Sequence, residues 1–440
     1  MRNSRFIYLI LALGIIPSVA QATDITKNSS IKIGGEVDSQ FGIVNQQDAF
    51  RKNLGTGQYY NENSLANSGA LKFNYDNKSE TGLGYGAYIK LNASTSESPS
   101  GSKNIGNEVK IYVQDTFGKI ELGNTSPVGS SMQVNPYTFA RATGGLDGDW
   151  DNWLKNGGVI DSTGKKKISG TYLTSPKLPV GFDETNKAGK INYFSPIING
   201  FSFGVSYTPD SKAKGTAAQA KDVLKNADGG YKNIWQPTVR YETSFENGVK
   251  FSTAVLGEFG KAKNIEYYDD IAKIDAKPDL DKSNIDRKNL KAWQVGAGVD
   301  YNGFAFAGAY GDIGKTGDLP AANKNKTDVK TGGKYWSLGS AYSTEKYGIS
   351  VNYMQSKRAG CLAKVNNSKD EEKFVKYGEN EYNKFEAISI GADYVVMPGF
   401  MPYIEVTKFK FKENDNYGKD ANKATFNKGT VILAGTKIKF

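Results

Sequence analysis

Apolar and polar residues alternate along most of this chain, in segments of about ten residues. Over 68–76, Leu71, Phe73 and Tyr75 share one face, while Lys72, Asn74 and Asp76 share the other. In the next segment Leu83, Tyr85, Ala87, Ile89 and Leu91 oppose Tyr88, Lys90 and Asn92. Val109, Ile111 and Val113 alternate with Lys110, Tyr112 and Gln114, and Trp293, Val295, Ala297, Val299 and Tyr301 alternate with Gln294, Gly296, Gly298 and Asp300. A period of two predicts strands. Sixteen are legible, at 30–44, 65–77, 81–94, 107–115, 117–124, 188–196, 200–208, 234–246, 247–260, 289–301, 303–313, 332–344, 345–357, 382–395, 399–412 and 426–440.

The connections alternate in length. Short turns fall at 77–80, 115–116, 196–200, 245–248, 302–303, 344–347 and 395–399. Long polar loops fall near 45–64, 95–106, 125–187, 209–233, 261–288, 314–331, 358–381 and 413–425. Short turns on one side and long loops on the other predict an all-β transmembrane antiparallel barrel. The last segment can close it: Thr430, Ile432, Ala434, Thr436, Ile438 and Phe440 share a face, as do Ile31, Ile33, Val37 and Phe41 in the first. Closure leaves no unpaired strand edge in lipid.

The bilayer then fixes which face is inside, because a lysine facing lipid at mid-depth costs about 2–4 kcal/mol. Lys72, Lys90 and Lys110 therefore face the lumen, with Arg240 a further lumen candidate on the eighth strand. Tyr75, Tyr193, Tyr207, Trp293, Tyr301, Trp336, Tyr342, Tyr347, Tyr353 and Phe440 are candidates for interfacial aromatic girdles.

Composition narrows the rest. Arg2 and Arg5, the apolar run from Phe6 to Val19 and Ala20-Gln21-Ala22 form a signal peptide over 1–22, cut after Ala22, which leaves 23–440 as the barrel. No later apolar stretch is long enough for a transmembrane helix. The chain is polar on average, with a mean hydropathy of -0.52, yet 12% of its residues are aromatic. The lone Cys361 allows no internal disulfide and reads as a thiol in an exposed loop. The absence of histidine removes Ser-His-Asp and Cys-His catalysis and His-ligated zinc. No cofactor motif is present. The net charge of +10, or +8 without Arg2 and Arg5, resides largely in loop lysines and suits contact with anionic lipopolysaccharide. No nucleic-acid-binding motif accompanies it.

Two stretches resemble a known family. The run from Val109 through Gln114-Asp115-Thr116-Phe117-Gly118-Lys119 to Asn124 is similar to the fourth and fifth strands of general Gram-negative porins. The run from Ile191 through Asn199-Gly200 to Tyr207 resembles the hairpin after their third external loop, and Gly435 to Phe440 resembles their closing strand. The resemblance implies a sixteen-stranded homotrimer in the bacterial outer membrane, with short periplasmic turns and external loops. It implies a water-filled channel for passive diffusion of small hydrophilic solutes, with Phe440 read by the barrel-assembly machinery. It also implies a third loop, here 125–187, folded into the lumen, with acids facing a basic wall. Asp147, Asp149 and Asp151 are the candidate acids, opposite Lys72, Lys90 and Lys110.

The aspartate spacing also opens a calcium reading. Asn152 stands where an EF-hand needs Gly, and Gly158 where it needs Glu, so only irregular coordination stays open. A substrate-selective porin, with Tyr88 and Tyr112 as a sugar track, and a surface adhesin on a barrel scaffold are the alternatives. Ion selectivity is not legible, because loop charges lie beyond a Debye length of about 8 Å from any constriction.

Overall fold

The computed structural model describes residues 29–51, 58–93, 105–142, 145–154, 185–211, 223–224, 230–267, 283–285, 288–317, 331–366, 372–412 and 426–440. The expected leader, at 1–22, lies outside these residues.

Sixteen antiparallel strands close into a barrel. They are β1 (Ser29–Gln46), β2 (Asn63–Lys78), β3 (Gly84–Asn92), β4 (Gly106–Asp115), β5 (Gly118–Asn124), β6 (Gly189–Phe194), β7 (Phe201–Asp210) and β8 (Tyr231–Ser244). The second half comprises β9 (Lys250–Ala262), β10 (Leu290–Tyr301), β11 (Phe304–Gly314), β12 (Gly333–Ser343), β13 (Tyr347–Asn366), β14 (Glu372–Tyr394), β15 (Phe400–Lys412) and β16 (Phe426–Lys439). Each strand pairs with its chain neighbours, and β1 pairs with β16 from Glu36↔Lys439 to Gln46↔Gly429. The terminal residue completes the seam: Phe440 N donates to Gly35 O at 3.1 Å, and Gly35 N donates to Phe440 O at 2.8 Å. The tight turn between β10 and β11 uses Asn302 and Gly303, both at positive φ (48° and 83°), the pair that suits a two-residue hairpin.

Three of the expected loops are more ordered than their polar composition implied. β13 and β14 continue as a hairpin past the barrel rim, with Cys361 in register with Tyr377 and Asn366 with Glu372. Cys361 thus lies on a strand, not in a loop. Val365, Phe374 and Val375 favour extended backbone, and above the membrane water can satisfy the hairpin's free edges. Likewise Val223–Leu224, Asn264–Tyr267 and Ser283–Ile285, expected as loop, form a small three-stranded sheet.

Outside the wall, aromatic pairs mark two heights. Near the short turns, Phe201 packs on Tyr241 at 4.6 Å and Phe304 on Tyr342 at 4.5 Å. Near the long loops, Tyr207 packs on Trp235 at 4.8 Å, Trp293 on Tyr310 at 5.6 Å and Trp336 on Tyr353 at 5.3 Å. Between them the outward face is apolar and exposed, as at Val255, Val295, Val351 and Ile390. From Tyr301 to Trp293 is about 27 Å along the strand, or about 20 Å of height at a tilt near 40°. That approaches the apolar band of about 25 Å that outer-membrane barrels present to lipid.

Inside, half of the barrel departs from the polar lumen that such strands usually enclose. The third connection, between β5 and β6, folds inward as α1 (Val128–Met132) and three 3-10 turns, at Pro136–Phe139, Gly145–Asp147 and Asp149–Trp153. Trp150 is fully buried against Phe385 of β14 and Phe409 of β15, with ring centroids at 6.1 and 5.5 Å. Met354, Phe411, Val431, Leu433 and Val44 join this core from the wall, and Trp153 and Leu146 from the loop. The loop packs so closely that a Cβ at Gly296 of β10 would collide with the Val134 carbonyl oxygen.

Replacing Val255, outward at mid-strand, with Arg is expected to cost about 2–4 kcal/mol in a lipid-reconstituted urea titration. Ser252→Arg, inward on the same strand, is expected to cost under about 1 kcal/mol, because a lumen-facing arginine stays in water.

Candidate functional site

The loop enters the lumen through a built neck. Lys190, inward on β6 and buried, donates to Thr125 O at the start of the loop. It also donates to Asn186 O at 2.6 Å and Ala188 O at 2.8 Å at the loop's end. One ammonium thus joins both stems, and a buried charge is tolerable because carbonyl acceptors surround it. Asn186 adopts a positive φ of 37° to present its carbonyl there. Around this centre, Lys187 pairs with Glu108 at 2.8 Å and donates to Ser126 Oγ at 2.5 Å, and Asn192 donates to Ser126 O at 2.9 Å.

From the neck the loop is fastened along the wall. Val128 N donates to Ser206 Oγ and Gly129 N to Gln236 Oε1, both at 2.8 Å. Arg240 donates to Met132 O at 3.0 Å and Gln133 O at 3.1 Å, and pairs with Glu242 at 2.7 Å. Arg141 pairs with Asp393 of β14, its Nε 3.0 Å from Oδ1, and donates to Thr344 O at 3.0 Å in a short turn. The loop therefore descends to the short-turn mouth. There a recess of about 360 Å³ opens between Phe139, Arg141, Lys250, Asp300 and Ser343.

Lys72, Lys90 and Lys110 stand on the other side, on neighbouring strands. Lys72 and Lys90 are opposed across β2 and β3, and both reach Glu36 Oε1 of β1, at 3.3 and 3.5 Å. Lys110 lies 3.2 Å from both Glu108 and Glu121 and 5.5 Å over the Tyr88 ring. Lys119, which sequence reasoning passed over, lies 4.6 Å over the Tyr112 ring and 2.8 Å from Glu121. Tyr112 is buried and bonded to Asp76, so its ring does not form an open track for sugars.

Asp149 does not face these lysines: it is drawn against β1. Asp149 accepts from Gln40 Nε2 of β1 at 2.5 Å, and Gln40 Oε1 accepts from Trp153 Nε1 at 3.2 Å. Burial raises the Asp149 carboxyl above its ordinary pKa; the Gln40 hydrogen bond and Lys437 oppose this, and Asp38 reinforces it. Lys437, 3.3 Å from Asp38, also donates to Ala142 O of the loop. Asp151 lies in the same turn, its carbonyl accepting from Leu154 N at 3.1 Å. The Asp147 side chain lies outside the described residues. Asp149 thus docks the loop, and Arg240 holds its backbone. Among the described residues no cluster of three or more His, Cys, Asp or Glu is arranged to hold a metal ion.

The loop thus fills one side of the lumen and leaves a strip of charged wall along β1–β5. A family model described as Gram-negative porin matches residues 9–414. The chain belongs to the Gram-negative porin family. Uncharacterised proteins of Rickettsia felis and Rickettsia conorii are similar to this porin. The first is 28% identical over 391 residues, covering 81% of the chain and 80% of that protein. The second is 26% identical over 366 residues, covering 75% of each. Among solved structures, the anion-selective porin from Comamonas acidovorans aligns at TM-score 0.54 and 14% identity, over 94% of this chain and 100% of that one. The trimer form of OmpT, an outer membrane protein of Vibrio cholerae, aligns at TM-score 0.54 and 8% identity, with the same coverage. These identities establish the shared barrel fold. Family and fold together make the porin an outer-membrane channel for passive diffusion.

Lys190→Met is expected to loosen the neck and raise mean single-channel conductance and open-channel noise. Lys190→Arg, which keeps the charge and donors, is expected to stay near wild type. Planar-bilayer recordings of the two variants test this.

Proposed function

We propose that this porin is a size-limited diffusion channel that favours anions and small acidic solutes, and that its selective passage runs along β1–β5. One observation carries the reading. On that wall three of the four lysines face water more than any of the three acids paired with them: the side chains of Lys72, Lys90 and Lys119 are 36%, 27% and 34% exposed and Lys110 18%, against 25% for Glu36, 11% for Glu108 and 5% for Glu121. A solute in the passage therefore meets ammonium groups first, in a narrow low-dielectric channel that focuses their field. The anion selectivity named for the Comamonas acidovorans structure is compatible with this reading.

The outer surface supports a homotrimer. On β1 and β2 the outward Ser39 Oγ donates to Asn67 Oδ1 at 2.7 Å, and Gly69, Thr430 and Thr436 share that face. Small polar groups fit a packed protein interface better than hydrocarbon. The aromatic pairs described above lie on β7–β13, away from this face. We further assign the leader to export, with cleavage after Ala22, and the outer leaflet's lipopolysaccharide to contact with the external rim. Transport of this kind needs no catalytic group.

In a salt gradient, wild-type channels are expected to show a reversal potential of anion-favouring sign, with conductance rising in triplet steps. The substitutions Lys72→Glu, Lys90→Glu and Lys110→Glu together are expected to reverse that sign. Glu36→Gln, which leaves Lys72 and Lys90 uncompensated, is expected to shift it the other way. Reversal potentials that do not move in these variants count against the β1–β5 passage.

A further inference from the structure

The recess at the short-turn mouth is built from two sides. On the wall, Lys250, Asp300, Ala305 and Ala341 are successive cross-strand partners on β9–β12. They point inward, since Ala254, Gln294, Ala307 and Ser337 share their parity and are buried under the loop. On the other side the loop packs Phe139 against Val134, Ala254 and Ala307. Arg141 follows two residues later, its guanidinium held by Asp393 and by Thr344 O. Gly348 makes room for it, because a Cβ there would lie 2.9 Å from Arg141 Nε. The cavity between the two sides measures about 360 Å³, within the range of about 300–1,000 Å³ of small-molecule sites. It opens past the β8–β9 turn, where a Cβ added at Gly248 would meet nothing within 4 Å.

The charges in this recess are arranged unusually. Lys250 and Asp300 stand directly opposite each other in the ladder, where Cβ atoms lie about 5 Å apart and opposite charges ordinarily attract. Among the described residues, neither makes an ion pair, and both are exposed. Arg141 is different, since Asp393 neutralises it. The recess therefore offers one ammonium and one carboxylate side by side. The Ser343 hydroxyl stands at its rim, and Phe139, Ala305 and Ala341 supply an apolar floor. A simple anion would satisfy Lys250 and leave Asp300 without a partner. A simple amine would do the reverse. A molecule that carries both charges on one carbon satisfies the two together, and each contact is a charge-assisted hydrogen bond.

We propose that this recess binds a free α-amino acid with an apolar side chain. The ligand's ammonium pairs with Asp300, its carboxylate pairs with Lys250, and its side chain lies on Phe139. The inference goes beyond the anion passage along β1–β5 and does not rest on it. It concerns the opposite wall, and a solute of zero net charge that the lysine field neither collects nor repels as a monopole. Solutes of this class pause at the short-turn mouth, so their flux saturates with concentration.

The test uses the full-length refolded porin in detergent micelles at neutral pH. Three ligands share a phenyl ring: L-phenylalanine, hydrocinnamate, which lacks the ammonium, and phenethylamine, which lacks the carboxylate. Saturation-transfer NMR titrations give a Kd for each. L-phenylalanine should bind at least about tenfold more tightly than either analogue, the worth of one charge-assisted hydrogen bond. Lys250→Met should lower its affinity to that of phenethylamine, and Asp300→Asn to that of hydrocinnamate. Equal affinity for the three ligands, or unchanged affinity for L-phenylalanine in either variant, would overturn the assignment. If a variant fails to fold, the ligand series on the wild type is read alone by the first criterion. The measurement records no current, so its failure leaves the β1–β5 passage standing, and reversal potentials test that passage separately.

Discussion

A chain that crosses hydrocarbon as strands must pair every backbone N–H and C=O within itself, because lipid offers no partner. The seam between β1 and β16 meets that demand, and much else follows from it. A closed ladder has no edge to which a further strand can be added. The residues between β5 and β6 therefore cannot join the wall. They can only stand above it or enter the space it encloses. Entry requires the loop to satisfy its own backbone, and it does so with short helical turns and with wall side chains such as Ser206, Gln236 and Arg240. Lys190 does the same at the neck, where the chain leaves one ladder and has not yet joined the next.

Two kinds of force share the work of holding the loop. On one side of the barrel it is fixed by burial: Trp150 between Phe385 and Phe409 forms a small apolar core, and truncating such a tryptophan typically costs about 3–5 kcal/mol. On the other side, along β2–β5 and the short-turn half of β1, it leaves the wall open to water, and lysines occupy that surface. The asymmetry divides the lumen into a structural half and a transport half. It also explains the position of Asp149. A carboxylate in the passage would sit in water, but this one belongs to the turn that carries Trp150 and Trp153, so it is drawn against β1 and satisfied by Gln40.

The wall was legible in the sequence, and the reason is physical. A period of two and a bilayer together leave one parity for each strand, and the expected strand ends fall within three residues of the observed ones except in the β13–β14 hairpin. The same logic set Lys72, Lys90 and Lys110 inward. What escaped it lies in the loop. Short 3-10 turns have no period to read, and Asp147-Gly148-Asp149-Trp150-Asp151 advertises its charges more loudly than the tryptophan that positions it. Lys190 gave no signal of its own, since one inward lysine on a short strand resembles any other lumen residue. A weaker signal was available at Gly296 and Gly298: inward glycines in the middle of a strand indicate that another backbone approaches closely.

The external half of β15 shows where the parity rule itself inverts. Taken alone, Lys408-Phe409-Lys410-Phe411-Lys412 reads as lysines inward and phenylalanines toward lipid. Ile404 and Val406, lower on the same strand, share the lysines' parity and are exposed outward, which fixes the opposite arrangement. The two consequences belong together. The phenylalanines turn inward because the loop brings Trp150 to meet them, so they bury apolar surface inside a barrel that would otherwise hold water. The lysines are then left outside, near the top of the hydrocarbon band, where their stems can lie along apolar surface and their ammonium groups reach the headgroups. A lysine deeper in the strand could not do this at tolerable cost. The inner core thus fixes the parity of β15, and with it the outward lysines Lys408, Lys410 and Lys412.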